Sequence, residues 1–249
     1  MLNIIIIIIT GLVVGSFLNV VIFRMKELHT VINTRSRCPE CKTEIKWYDL
    51  IPFLSFVLLR TKCRNCGKQI SWQYPIVEIG TAILFLFLYS EFGFSYQLIM
   101  QLILAFFAIA IFVYDLKNLE IPDEMLYPAI VIAVLNLAFF HPSSFLNGIY
   151  GILICAGFLG LLYLLGKGKW LGFGDVKLGI LLGLMSPFPF AILTLFLAFA
   201  IGSIVGIYMI LIGQKTFKSE VPFAPFLIIS LYLSIFYGDK IINWYLGLI

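Results

Sequence analysis

Apolar residues run along this chain in long blocks, most of them the length of a helix that crosses a bilayer. They fall at roughly 2–23, 73–90, 97–114, 125–140, 147–166, 188–212 and 224–246, near the ~20 residues that a spanning helix needs. A shorter apolar piece at about 176–186 leads into the Ser186-Pro187-Phe188-Pro189 break. The pattern predicts an all-α fold, a polytopic membrane bundle of seven or eight transmembrane helices, with eight preferred. Only residues 24–72 interrupt it at length, rich in Lys and Arg, with four Cys and the turn formers Pro39 and Gly67. The chain therefore divides into a first span at 1–23, a small polar module at 24–72 and a helix bundle at 73–249. Within the module, Asp49 to Leu59 (DLIPFLSFVLL) is apolar but too short to span, and reads either as the module's core or as a segment on the bilayer face.

Composition agrees with the pattern. The chain is 61% hydrophobic and 12% charged, with a mean hydropathy of +1.04, beyond what a soluble core absorbs. The first block lacks a basic start and a small-residue cleavage site, so it reads as a retained span. With its N-terminus outside, alternation of the spans puts all of the 17 Lys and Arg except Lys240 on one side, Lys215 and Lys218 among them. That side is the cytoplasm by the positive-inside rule, so the net charge of +4 reports topology and not nucleic-acid binding. Beyond residue 72 no segment is large enough for an independent soluble domain. Any active site must be built from helix ends and the connectors 115–124, 167–175 and 213–224, all on the cytoplasmic side.

Two constellations carry chemistry. Cys38-Pro39-Glu40-Cys41 and Cys63-Arg64-Asn65-Cys66 are two C-x-x-C pairs with 21 residues between them, the spacing of a zinc ribbon in which four thiolates close a tetrahedral structural site. A reducing compartment argues against disulfides. Cys155, alone in an apolar block, reads as a packing residue, and His29 and His141 fall outside any ligand spacing. The second constellation is a pair of aspartates at the ends of apolar runs. Asp115 ends the run before Leu116-Lys117-Asn118-Leu119-Glu120-Ile121-Pro122-Asp123, and Asp175 closes the turn Gly172-Phe173-Gly174-Asp175. On the residues alone, Asp115 reads as a solvated helix-end charge or a functional acid, and Asp175 as an N-cap for a helix beginning at Val176 or a functional acid. Asp123 and Glu124 read as first-turn residues of the next helix. If the two aspartates meet, they share a proton, one acting as base toward water and the other as acid toward a carbonyl oxygen. A helix N-terminus after Asp175 makes that residue the candidate base. Glu78, one turn inside the second span, reads either as a functional acid or as a snorkelling carboxylate. Asn19 and Arg24 read as candidate substrate or cofactor contacts, or as interhelical hydrogen bonding and a charge anchor.

With these residues in place the chain resembles the type IV prepilin leader peptidases, the G-x-G-D membrane aspartyl proteases. The resemblance rests on Gly15 to Arg24 (GSFLNVVIFR), the cysteine tetrad, Tyr48 to Pro52, Leu59-Arg60, Tyr74-Pro75 with Glu78, Asp115 with Ile121-Pro122-Asp123, Gly172 to Asp175 with Lys177, and Pro222 to Phe226 (PFAPF). It implies Asp115 and Asp175 as the catalytic pair, with Gly172 and Gly174 supporting the turn. It also implies prepilin or pseudopilin substrates cleaved of their basic leader after Gly, at the cytoplasmic face of the bacterial inner membrane. Many members further methylate the new N-terminal residue from S-adenosylmethionine, so the resemblance implies a second activity, toward which Glu78, Asn19 and Arg24 are candidate contacts. Ala224 stands where the family often has Gly and is expected not to touch the acid pair. A transporter with a zinc ribbon is the competing reading, and it predicts acids near the bilayer midplane; a non-catalytic pilin-assembly protein would need neither aspartate.

Overall fold

The computed structural model describes residues 1–249 apart from Thr30, Ile32, Asn33, Thr34, His141, Lys215, Phe217, Lys218, Leu248 and Ile249. The readings made for His141, Lys215 and Lys218 therefore lie outside the described residues.

The chain folds as helices throughout, with two isolated β-bridges and no strand among the described residues. This is the expected outcome for apolar blocks in hydrocarbon, where a helix satisfies its backbone within one segment. The helices are α1 (Leu2–Phe23), α2 (Leu54–Leu58), α3 (Gln73–Phe92), α4 (Tyr96–Asn118), α5 (Asp123–Phe140), α6 (Phe145–Leu165), α7 (Phe173–Met185), α8 (Phe190–Leu211) and α9 (Ala224–Leu246). Seven of them, all but α2 and α7, are long and apolar enough to cross a membrane. The contacts divide the chain into two compact units, Met1–Ala110 and Ile111–Ile249.

In the first unit α1 packs along α3 with almost no space between the backbones. A Cβ at Gly11 would stand 2.5 Å from the Ala82 Cα, and one at Gly15 would stand 2.6 Å from the Glu78 Cα, the small-residue contact that lets membrane helices approach closely. Leu18, Phe85 and Leu88 fill the seam and are almost completely buried. The polar module also belongs to this unit.

In the second unit α6 and α7 cross at Gly151 and Gly183, where a Cβ on Gly183 would stand 2.4 Å from the Gly151 carbonyl carbon. The other face of α7 meets α5, and α9 packs on α8. Two helix boundaries differ from the sequence expectation in a way that matters for the site. The third span runs on through Asp115 to Asn118, and α7 begins at Phe173 with Gly172 as its N-cap. Asp175 is thus not the cap of a helix starting at Val176. It lies inside the first turn, its N–H bonded to the Gly172 carbonyl at 3.2 Å. Glycine is a poor helix former, so G-F-G reads as a turn in sequence; packing recruits it into the helix.

Candidate active site and metal centre

The second unit gathers the two aspartates. Asp115 lies in the last turn of α4 and Asp175 in the first turn of α7; they are 4% and 9% exposed, and the Asp115 charge acts on Asp175. Helix ends, not mid-helix positions, carry both acids, which is not the arrangement that a transporter reading requires.

Each carboxylate is met by a backbone N–H. The Ala224 N–H, the first of α9, donates to Asp115 Oδ2 at 3.2 Å, and the Gly172 N–H approaches the Asp175 carboxylate. The expectation that Ala224 does not touch the acid pair is therefore corrected. The contact runs through the main chain, which a Gly-to-Ala difference leaves unchanged. It also puts Asp115 at the positive end of a helix, so the helix-end field that sequence assigned to Asp175 alone acts on both acids.

Two contacts fasten the connector after Asp115 to the turn that holds Asp175. Gly174 packs against Ile121, where a Cβ would stand 3.2 Å from the Ile121 Cβ, so a larger residue there would push the connector away by a few tenths of an ångström. Asp123, in the first turn of α5 with Glu124 as expected, also forms an ion pair with Lys177. The Lys177 ammonium lies 5.5 Å from the Tyr127 ring centre and 5.9 Å from that of Phe173. Leu119, which ends α4, holds a left-handed φ of 56°, a conformation that costs a non-glycine residue about 1 kcal/mol. Lys177 was visible in sequence only as a residue beside the G-x-G-D turn, and its partner Asp123 read as a plain helix-start charge. A Lys near the start of a helix, against the dipole, was a signal that an acid lies nearby.

In the first unit the four cysteines converge, their sulfurs all within 4.8 Å of one another. Cys38 and Cys66 sulfurs are 3.9 Å apart, against about 3.8 Å for two sulfurs on one tetrahedral zinc with ~2.3 Å bonds. The two C-x-x-C loops repeat one geometry. Cys38 N–H bonds the Thr43 carbonyl and Lys42 N–H the Cys38 carbonyl, while Cys63 and Gly67 make the same bonds to Lys68 and Cys63. Lys42 and Gly67 both adopt left-handed φ, and a β-bridge flanks each loop, Arg37 with Glu44 and Lys62 with Gln69. The Thr43 hydroxyl, then its backbone N–H, hold the half-buried Cys41 thiol down to about 6, with Asn65 adding a contact to the same sulfur. Four convergent sulfurs, with hydrogen bonds that favour the thiolate at Cys41 and Cys63, fit a metal ion such as zinc. Arg64 locks the second loop to the module by two bonds to Asp49, at 3.0 and 2.7 Å.

The remaining candidates sit between α1 and α3 and are committed to groups of their own unit. Asn19 bonds the Gly15 and Tyr74 carbonyls and accepts from Gln73, each at 3.2 Å. Glu78 accepts the Phe53 N–H at 2.7 Å, while Arg24 donates to the Arg35 carbonyl at 3.0 Å. Cys155 is fully buried, as its packing role requires.

Comparison with known proteins adds the family. Residues 9–92 match the model of the bacterial peptidase A24 N-terminal domain, and residues 102–207 that of the type IV leader peptidase family. The chain belongs to the type IV leader peptidase family. Among curated relatives, the prepilin leader peptidase/N-methyltransferase of Legionella pneumophila is 30% identical, aligned over 95% of this chain and 92% of its own length. That of Bacillus subtilis is 30% identical over 95% of both chains, and that of Myxococcus xanthus 36% identical over 81% of this chain and 61% of its own. No solved structure matches the chain. Family membership makes it a multi-pass bacterial membrane peptidase, and the second family match includes both aspartates.

Proposed function

We propose that this chain is an aspartyl endopeptidase that removes the basic leader of type IV prepilins or pseudopilins, cutting after Gly at the cytoplasmic face of the inner membrane, with Asp115 and Asp175 as its catalytic pair. The observation that carries this reading is two buried carboxylates at helix ends, with the Asp115 charge acting on Asp175, inside the peptidase family match. Two such groups cannot both ionise cheaply and hold one proton between them. The ionised partner takes a proton from water as that water attacks the scissile carbonyl carbon. The protonated partner gives its proton to the carbonyl oxygen; the tetrahedral intermediate then collapses as the proton taken from water passes to the leaving nitrogen and a hydroxyl proton returns to the other aspartate, releasing the leader's C-terminal carboxyl group and the new amine with the dyad restored. The Ala224 N–H holds Asp115 in place without consuming a side chain. Charge asymmetry along the chain supports the cytoplasmic face.

Zinc on Cys38, Cys41, Cys63 and Cys66 fits the reading as a structural ion. With all four positions filled by protein it would brace the module, and no step passes through it. N-methylation of the newly exposed residue is a second activity that we propose from the name the relatives carry, prepilin leader peptidase/N-methyltransferase. Asn19 and Glu78 are hydrogen-bonded to neighbours within their own unit, which gives them a supporting place beside S-adenosylmethionine.

Co-expression with a prepilin bearing a basic leader and a Gly-Phe junction, read by intact mass, tests the proposal. Wild type should remove the leader, and Asp115→Ala and Asp175→Ala should leave it on at equal expression. Cleavage by either variant would remove that aspartate from the mechanism, and an added methyl mass on the wild-type product would establish the second activity.

A further inference from the structure

The apolar stretch of the module does not form its core. Of its side chains Phe56 turns inward, against the Trp72 ring at 5.0 Å, whereas Leu50, Ile51, Phe53, Leu54, Val57 and Leu58 are 38–70% exposed. Leu54, Val57 and Leu58 share one face of α2. No charged residue falls between Leu50 and Leu59, and basic residues stand on either side at Lys46, Arg60 and Lys62.

The depth of this stretch is fixed by one hydrogen bond. Phe53 has a left-handed φ of 59°, and its N–H points to the Glu78 carboxylate at 2.7 Å. Glu78 lies five residues into α3, about 7 Å along the helix axis at 1.5 Å per residue. It is level with Gly15, whose Cβ would stand 2.6 Å from the Glu78 Cα, eight residues before the end of α1 at Phe23. The Phe53 amide is therefore one to two helical turns below the ends of the two spans, where water does not satisfy a stray N–H. Backbone that is not helical is tolerated at such depth when protein supplies the missing partner, and Glu78 supplies it.

We propose that residues 50–58 dip into the leaflet on the module's side as a re-entrant segment, their exposed apolar face against lipid acyl chains and their turn held by Phe53 N–H and the Glu78 carboxylate. The bilayer is the occupant because both ends of the module are tied to spans and the anchoring bond lies below the span ends. The flanking Lys and Arg side chains reach the headgroup level from there.

The full chain, with its four Trp changed to Phe and a single Trp placed by Leu54→Trp or Leu58→Trp, is reconstituted in phosphatidylethanolamine and phosphatidylglycerol vesicles. Leader cleavage by either variant certifies its fold. Lipids brominated high on the acyl chain should quench this Trp at least about twofold more than aqueous iodide does, as expected for a side chain ~5–10 Å below the headgroup boundary. Adding Glu78→Ala should shift quenching toward iodide and the emission to the red, while Glu78→Gln, which keeps an acceptor oxygen, should not. Quenching by iodide in the parent would overturn the proposal, since the face is then in water. Quenching by neither agent would also overturn it, since protein, either the substrate helix or a second copy, then covers the face.

Discussion

Gly183→Ala tests whether the site depends on the crossing of α6 and α7. The added Cβ would meet the Gly151 carbonyl carbon and the Ile152 nitrogen at 2.4 Å and the Gly151 oxygen at 2.5 Å. All three are backbone atoms, so no rotamer change relieves the contact. Carbon atoms pack at about 3.5 Å, so the helices must part by about 1 Å. Overpacking of this kind costs about 1–3 kcal/mol of stability. The displaced helix is the one that carries Asp175, and an error of ~1 Å at a reacting group costs on the order of 10²-fold in rate. Gly206→Ala is the control: it lies in α8 with nothing within 4 Å of the added atom, so Ala there should raise stability by about 0.5–1 kcal/mol and leave the rate alone. The assay is the initial rate of leader removal in detergent at matched protein, with the thermal midpoint recorded for both variants. If Gly183→Ala cleaves at the wild-type rate, the claim that this crossing sets the position of Asp175 is wrong.

Replacing Asp115 or Asp175 by Asn, which keeps size and burial, should lower cleavage by about 10²–10⁴-fold, the usual contribution of a positioned acid or base; the rate against pH for wild type should have two limbs, and a flat profile would count against a shared proton. Lys177→Met and Asp123→Asn should each reduce the rate, and a double-mutant cycle should give a coupling of only about 0.5–1 kcal/mol, because Asp123 is about half exposed. Cys41→Ser or a strong chelator should destabilise residues 24–72 to proteolysis, and metal analysis of the purified wild type should find one zinc per chain. Arg64 hydrogen bonding holds the Asp49 carboxyl below its usual range, so the stability that it adds is complete above the ordinary aspartate value of about 4 and is lost as pH falls through the lowered one. The difference in thermal midpoint between wild type and Asp49→Asn should accordingly be present at neutral pH and vanish in strong acid.

The spans and the cysteine cluster were legible because each is written in a local signal, the length of an apolar block or the spacing of a ligand pair. The aspartates were legible as a pair because the chain has few acids beside its apolar runs. What sequence could not give were contacts made by main chain or across long separations. The Ala224 N–H on Asp115 joins residues 109 positions apart and leaves no mark in side-chain identity. The Asp123 pair with Lys177 looked like a helix-start charge because that reading is true as well. The fate of the DLIPFLSFVLL stretch turned on Glu78, a residue whose partner is a strained backbone amide, and strain of that kind is not encoded in a hydropathy pattern.

The donor on Asp115 belongs to the peptide group at Ala224 and to no side chain. A scan that truncates residues to alanine passes over it in silence, since position 224 already carries alanine and every replacement except proline keeps the N–H. Its share of the chemistry can be read only by editing the backbone itself, as with an ester in place of the amide joining Phe223 to Ala224, and a map of essential residues drawn from side-chain changes will always leave this one blank.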